Sequence, residues 1–81
     1  MFERILSGEQ PSAVFRQAMR NDAALTNNEL ASRFYEEFPK LDSVVVQYIW
    51  HWKSPDHKTG NFSDEHLDEV LIDALRAAGY R

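Results

Sequence analysis

Apolar residues recur along most of this chain at spacings of three and four, the pattern of helices that bury one face. Nothing alternates polar with apolar for long enough to form a half-buried strand. Phe2, Ile5 and Leu6 stand at i, i+3 and i+4, enough for one helical turn before Gly8 ends it. Pro11 suits the first position of a helix, where a missing N–H costs nothing. From there Val14, Phe15, Ala18 and Met19 line one side, with Arg16 and Arg20 expected to point away.

The next start signal is the clearest. Thr26-Asn27-Asn28-Glu29 fits a capping box, and Leu25 with Leu30 fits a hydrophobic staple. Leu30, Ala31, Phe34, Tyr35 and Phe38 then make a wide apolar stripe, Glu29, Ser32, Arg33 and Glu36 face water, and Pro39 stops the helix. Asp42 or Ser43 can cap a third helix running to about Lys53, ahead of Pro55. Val44-Val45-Val46 has β propensity but lies inside this longer helical pattern. At about 100° per residue, Val45, Tyr48, Ile49 and Trp52 share one face, while Val46 and Trp50 form a second face well round the axis. Only Gln47, His51 and Ser54 remain as a polar strip. A helix apolar on two sides is either central or has a face waiting for a partner.

Residues 53–61 are dense in turn formers and predict a mobile loop. Ser63 caps the last helix with a Phe62–Leu67 staple. Leu67, Val70, Leu71, Ala74, Leu75 and Ala78 form its core face, and Gly79 terminates it. Short connections between these elements favour neighbouring helices around one core. The expected fold is all-α: a compact bundle of four helices, preceded by a short extra N-terminal helical turn, in a single small domain over residues 1–81.

Composition sharpens this picture at three points. Cysteine is absent, so neither a disulfide nor a thiolate metal site can staple so small a chain, and ten aromatic residues must supply the packing instead. Apolar runs of only a few residues exclude a membrane-spanning helix. The start Met1-Phe2-Glu3-Arg4-Ile5-Leu6 has no charged region followed by a greasy one; with the missing cysteines this leads us to expect a cytoplasmic, soluble domain. The net charge of −4 disfavours nucleic acid and anionic membranes as partners.

Candidate chemistry is thin. His51, Asp56 and His57 lie close in sequence, but their spacing matches no metal-ligand grammar, and His51 and Lys53 suit a helix carboxyl end. No serine sits in a nucleophile elbow, and three glycines are too few for a phosphate loop. Asp64, Glu65, Asp68, Glu69 and Asp73 crowd the last helix, where they are expected to form a solvated acidic face. No catalytic residue, cofactor, metal or small-molecule substrate is assigned, and the chain is expected not to be an enzyme.

Two binding roles follow instead. The first is a protein-interaction module. Tryptophan and tyrosine dominate interface hot spots, and the third helix concentrates them. Val46 and Trp50, flanked by Lys53, would anchor a protein partner or a second copy of the chain, with Ile72 on the last helix as a further contact. Trp50 has an alternative place, packed under the last helix or the 54–62 loop. The second role rests on a resemblance. Residues 26–53, a capped helix containing Glu29-Leu30-Ala31, a short turn and a second helix, resemble a helix-turn-helix motif. That likeness implies a DNA-binding regulatory domain with Gln47 and His51 toward the bases and Arg16, Arg20 and Lys58 toward phosphates. It departs from the motif in its longer first helix and in Pro39, where glycine is common.

Overall fold

Three side chains start the helices. Thr26 Oγ1 accepts the Glu29 N–H at 3.2 Å, Ser63 Oγ accepts the His66 N–H at 3.1 Å, and Asp42 Oδ1 accepts the Val44 N–H at 3.0 Å. In the computed structural model, which describes residues 1–81, the resulting elements are α1 (Glu3–Leu6), α2 (Pro11–Asn21), α3 (Asn27–Glu37), a 3-10 turn (Ser43–Val45) leading into α4 (Val46–Trp50), and α5 (Asp64–Ala77). There is no sheet, only one isolated bridge between Trp52 and Phe62. The fold is an all-α bundle: α3 packs mainly on α4, α2 packs on α5, and α1 is the extra turn in front. A radius of gyration of 11.4 Å agrees with the roughly 12 Å of a packed domain of this length.

The core is built from the predicted faces. Val14, Phe15 and Met19 of α2, Leu30, Ala31 and Phe34 of α3, and Leu67, Leu71 and Leu75 of α5 are buried, with Phe2 and Ile5 closing one end. Phe2, Phe15 and Phe34 form a triangle of rings with centroids 5.4–5.7 Å apart. Tilted and edge-on rings at such distances add attraction beyond their buried area. From that triangle Phe15 reaches Trp52 at 5.8 Å, and Phe34 reaches Phe38 at 5.0 Å, which meets Tyr80 at 5.0 Å. Tyr80 Oη accepts the Lys40 N–H at 3.0 Å, tying the segment after α5 to the turn after α3. Gly79, at φ +86°, makes the left-handed step that lets the chain leave α5.

Several expectations need correcting. Leu6 is exposed, so the N-terminal segment buries Phe2, at the cap of α1, and Ile5 alone. The capping box at Thr26 is only half made, because the Glu29 carboxylate lies 3.8 Å from Arg33 instead of returning to the cap. The third helix does not run to Lys53. It ends at Trp50, and Trp52 lies beyond it, buried, with the neighbouring Lys53 N–H donating to the Phe62 carbonyl at 2.9 Å. The reason is Asn27, whose Nδ2 donates to the carbonyls of Ile49 at 3.0 Å and Trp52 at 2.9 Å. It satisfies the orphan acceptors of the last turn and lets the chain bend away.

Residues 53–61 are not a free loop either. Ser54 is buried. Its hydroxyl donates to Asn27 Oδ1 and accepts the N–H groups of Asp56 and His57 at 3.1 and 3.0 Å. Asp56 Oδ2 in turn accepts the Asn27 N–H at 3.1 Å. No helix of the structure is long and apolar enough to cross a membrane.

Candidate functional site: an exposed tryptophan on a fixed turn

Asn27 and Ser54 fix the backbone on which Trp50 stands, so the place from which its indole projects is set by buried hydrogen bonds and not by a mobile loop. Trp50 is 42% exposed, among the largest apolar side chains left in solvent. Its position follows from the rotation read in the sequence: Val45 and Ile49 are buried, Tyr48 is half-buried against the core, and Trp50 falls on the other side. Of the two placements open to it, the structure adopts the solvent-facing one. Val46, its partner on that face, is half-buried and packs against the core.

Trp50 stands as a ridge between depressions. On one flank a hollow of about 140 Å³ is lined by Ala31, Ser32, Tyr35, Val46 and Trp50, mostly apolar. On the other, a wider one of about 520 Å³ is lined by Asn28, Ser32, Trp50, His51 and His57. A third, of about 330 Å³, continues past Trp50 to Thr26, Asn27 and Asp56. The first is well under the roughly 300 Å³ at which small-molecule pockets begin. It has the scale of a seat for one anchor side chain. α3 contributes the floor of this surface and α4 the ridge, so the two most closely packed helices hold it together.

The other residues singled out from the sequence are distributed differently. Lys53 lines a separate depression, together with Arg16 and Lys58, and shares none of the hollows around Trp50. Ile72 is half-buried on α5 and lies outside those hollows as well. Gln47 is exposed on α4, and His51 caps its carboxyl end beside Trp50. Arg20 is exposed in the last turn of α2, with Nη2 donating to Gln17 Oε1 at 2.9 Å. The residues assigned to bases and those assigned to phosphates thus lie in different places: His51 beside Trp50, and Arg16 with Lys58 elsewhere. The segment expected as a recognition helix is a 3-10 turn followed by a five-residue helix. No group of three or more histidine, aspartate or glutamate side chains is placed to hold a metal ion.

Sequence reasoning missed how Arg16 and two of the acidic residues are used. Arg16 does not point away from the molecule. Its guanidinium lies over the Trp52 ring, 5.2 Å from the centroid, and donates to both carboxylate oxygens of Asp64 at 3.0 and 2.7 Å. The Trp52 indole N–H donates to the same carboxylate at 2.8 Å. These charge-assisted bonds, that from Arg16 first, hold the Asp64 carboxyl below the usual carboxylate range, and Asp64 raises the Arg16 guanidinium in return. One turn further along α5, Asp68 accepts the Ser12 N–H at 2.7 Å and the Ser12 hydroxyl at 2.8 Å. It caps α2 from a different helix, where the N-cap Gln10 provides no side-chain bond. The acidic face of α5 is therefore only partly a solvated one. The signal was available, since Asp64 and Asp68 are spaced i, i+4 and Arg16 and Ser12 are spaced the same way. It could not be read without knowing that α2 and α5 are neighbours.

Comparisons with family models, with curated proteins and with solved structures find no match to this chain.

Proposed function

We propose that this chain is a non-enzymatic protein-binding module that takes hold of a partner protein through Trp50, with one apolar side chain of the partner seated in the hollow between Trp50, Tyr35 and Val46. The observation that carries the reading is the 42% exposure of Trp50 on a backbone pinned by buried hydrogen bonds. In so small a domain every large apolar side chain left out of the core forgoes stabilisation. A tryptophan on a pinned backbone has few side-chain torsions left to order when a partner covers it, which keeps the entropy cost of binding low. The polar rim of Asn28, Ser32, His51 and His57 fits the usual anatomy of such a patch, an apolar centre ringed by hydrogen-bonding groups.

Trp50→Ala tests this. Partners retained by the immobilised wild-type chain are identified, and the affinity of each is then measured for both forms, with sedimentation of the chain alone reporting self-association. The substitution is expected to weaken binding by roughly thirtyfold or more, as for a hot-spot side chain, while unfolding stability changes by less than about 1 kcal/mol. Equal affinity in the two forms, or loss of binding only together with loss of the fold, would refute the proposal.

A further inference from the structure

A second site lies away from Trp50 and shares no lining residue with its hollows. A depression of about 390 Å³ is bounded by Arg16 from α2, Lys53, Ser54, Pro55 and Lys58 from the segment after α4, and Ser63 and Asp64 at the start of α5. It contains three cations and one carboxylate, a local excess of two positive charges (three minus one), on a chain whose net charge is −4. The carboxylate is already engaged: Asp64 accepts both Arg16 bonds and the Trp52 indole N–H. Neither Lys53 nor Lys58 is in an ion pair, whereas Arg4, Arg16 and Arg33 each have an acidic partner. Two lysines thus border one concavity without an acidic partner of their own.

The walls are preorganised. Arg16 is fixed by Asp64 and by the Trp52 ring beneath it. Lys53 is tied through its N–H to Phe62, and Ser54 through its hydroxyl to Asn27. An anion entering here would meet an Arg16 guanidinium already held in place, which lowers the cost of binding, and the exposed Lys53 and Lys58 side chains would order on it.

We propose that this depression binds the dianion of a phosphate monoester, held by the Lys53 and Lys58 ammonium groups and the outer edge of the Arg16 guanidinium. An excess of two positive charges matches such a dianion, and three separate donors match its three terminal oxygens. A nucleic-acid strand fits less well. Its bases would need a stacking surface, but no aromatic side chain lines the depression, and Trp52 behind Arg16 is fully buried. Arg20, Arg33 and Arg76 do not line it either and add no continuous phosphate track.

The test is a titration of the isotopically labelled chain, followed by amide shifts, with inorganic phosphate and with O-phosphoserine at about pH 8, where both are largely dianionic. Saturable shifts confined to the surroundings of Arg16 and to residues 53–58 and 63–65 are expected. The Lys53→Gln/Lys58→Gln double variant, both side chains being exposed, should keep the wild-type melting temperature and bind about tenfold more weakly or worse. Arg20→Gln, outside the site, should bind as the wild type does. Tighter binding of O-phosphoserine would mark a phosphorylated compound or peptide as the ligand, and equal binding the free ion; both uphold the site. Non-saturating shifts spread over the other cations, or an unaffected double variant, would overturn it. So would mixed-sequence duplex DNA that displaces phosphate from these residues with a steep salt dependence, since the site would then belong to nucleic-acid binding.

Discussion

Asn27 uses every hydrogen-bonding group of its side chain inside the protein: Nδ2 toward the carbonyls at the end of α4, Oδ1 toward Ser54. Substitution by alanine strands two buried carbonyls and a buried hydroxyl, each at about 1–3 kcal/mol when left unpaired. Partial repacking will relieve some of this, so Asn27→Ala is expected to lower unfolding free energy by about 2–4 kcal/mol in a urea titration. Asn27→Asp keeps the shape but replaces a donor with an acceptor facing carbonyls; it should be at least as damaging, and a near-neutral result would show that the amide does not hold the turn. Gly60 makes a different demand at the same place. A Cβ there would sit 2.5 Å from the backbone carbon and oxygen of Trp52 and 2.6 Å from the Lys53 nitrogen. Since backbone rather than a flexible side chain must give way, Gly60→Ala should cost at least the 1–3 kcal/mol typical of overpacking. Its amide spectrum should change most around residues 51–54. The exposure of Trp50 itself was half legible: rotation about a helix put it about 100° round from Ile49, but a two-sided helix can be central or peripheral. Only the packing of α4, mainly against α3, decides.

At the scale of elements, the helices and their starts were legible because they depend on residues close in sequence. Thr26, Ser63 and Pro11 act within one turn of their own positions, and the spacing of Leu67, Leu71 and Leu75 places α5 unaided. What joins one helix to another was not legible. The cap of α2 comes from Asp68, 56 residues away, and that of α1 from Glu37, whose two oxygens accept the Phe2 N–H at 3.1 and 3.0 Å. The true end of α4 is set by Asn27, 22 positions before Ile49, which is why the helix was expected to run three residues too far. Such caps contribute as local ones do. Asp68→Ala removes the only side-chain acceptor at the start of α2 and should cost about 0.5–2 kcal/mol. Amide exchange should accelerate first in Ser12–Val14. Uniform acceleration throughout the chain would show instead that Asp68 serves the α2–α5 interface as a whole.

For the molecule as a whole, Arg16, Trp52 and Asp64 join α2, the segment after α4 and the start of α5 at one point. That point titrates. The Asp64 carboxyl is held below its ordinary value of 3.8, first by the Arg16 hydrogen bonds and then by the Trp52 indole N–H. A carboxyl depressed on folding releases its proton more readily in the native state than in the unfolded one. Its contribution is therefore complete above the unfolded value and disappears as pH falls through the folded one. Arg16, raised from an already high value, remains charged throughout and adds no slope in acid. Unfolding stability should accordingly be insensitive to this group from neutrality down to about pH 5 and fall below it. Because the pair is about two-fifths exposed on the Asp64 side, solvent screens it and the drop will be modest. To isolate this group the comparison must be internal: urea midpoints of the wild type and of Asp64→Asn from pH 7 to pH 2. The gap between the two should be constant above about pH 5 and narrow steadily below it, because protonated Asp64 and asparagine are both neutral. A gap that persists undiminished at pH 2 would mean that Asp64 joins the three segments by shape and neutral hydrogen bonding, and that its charge contributes little to their union.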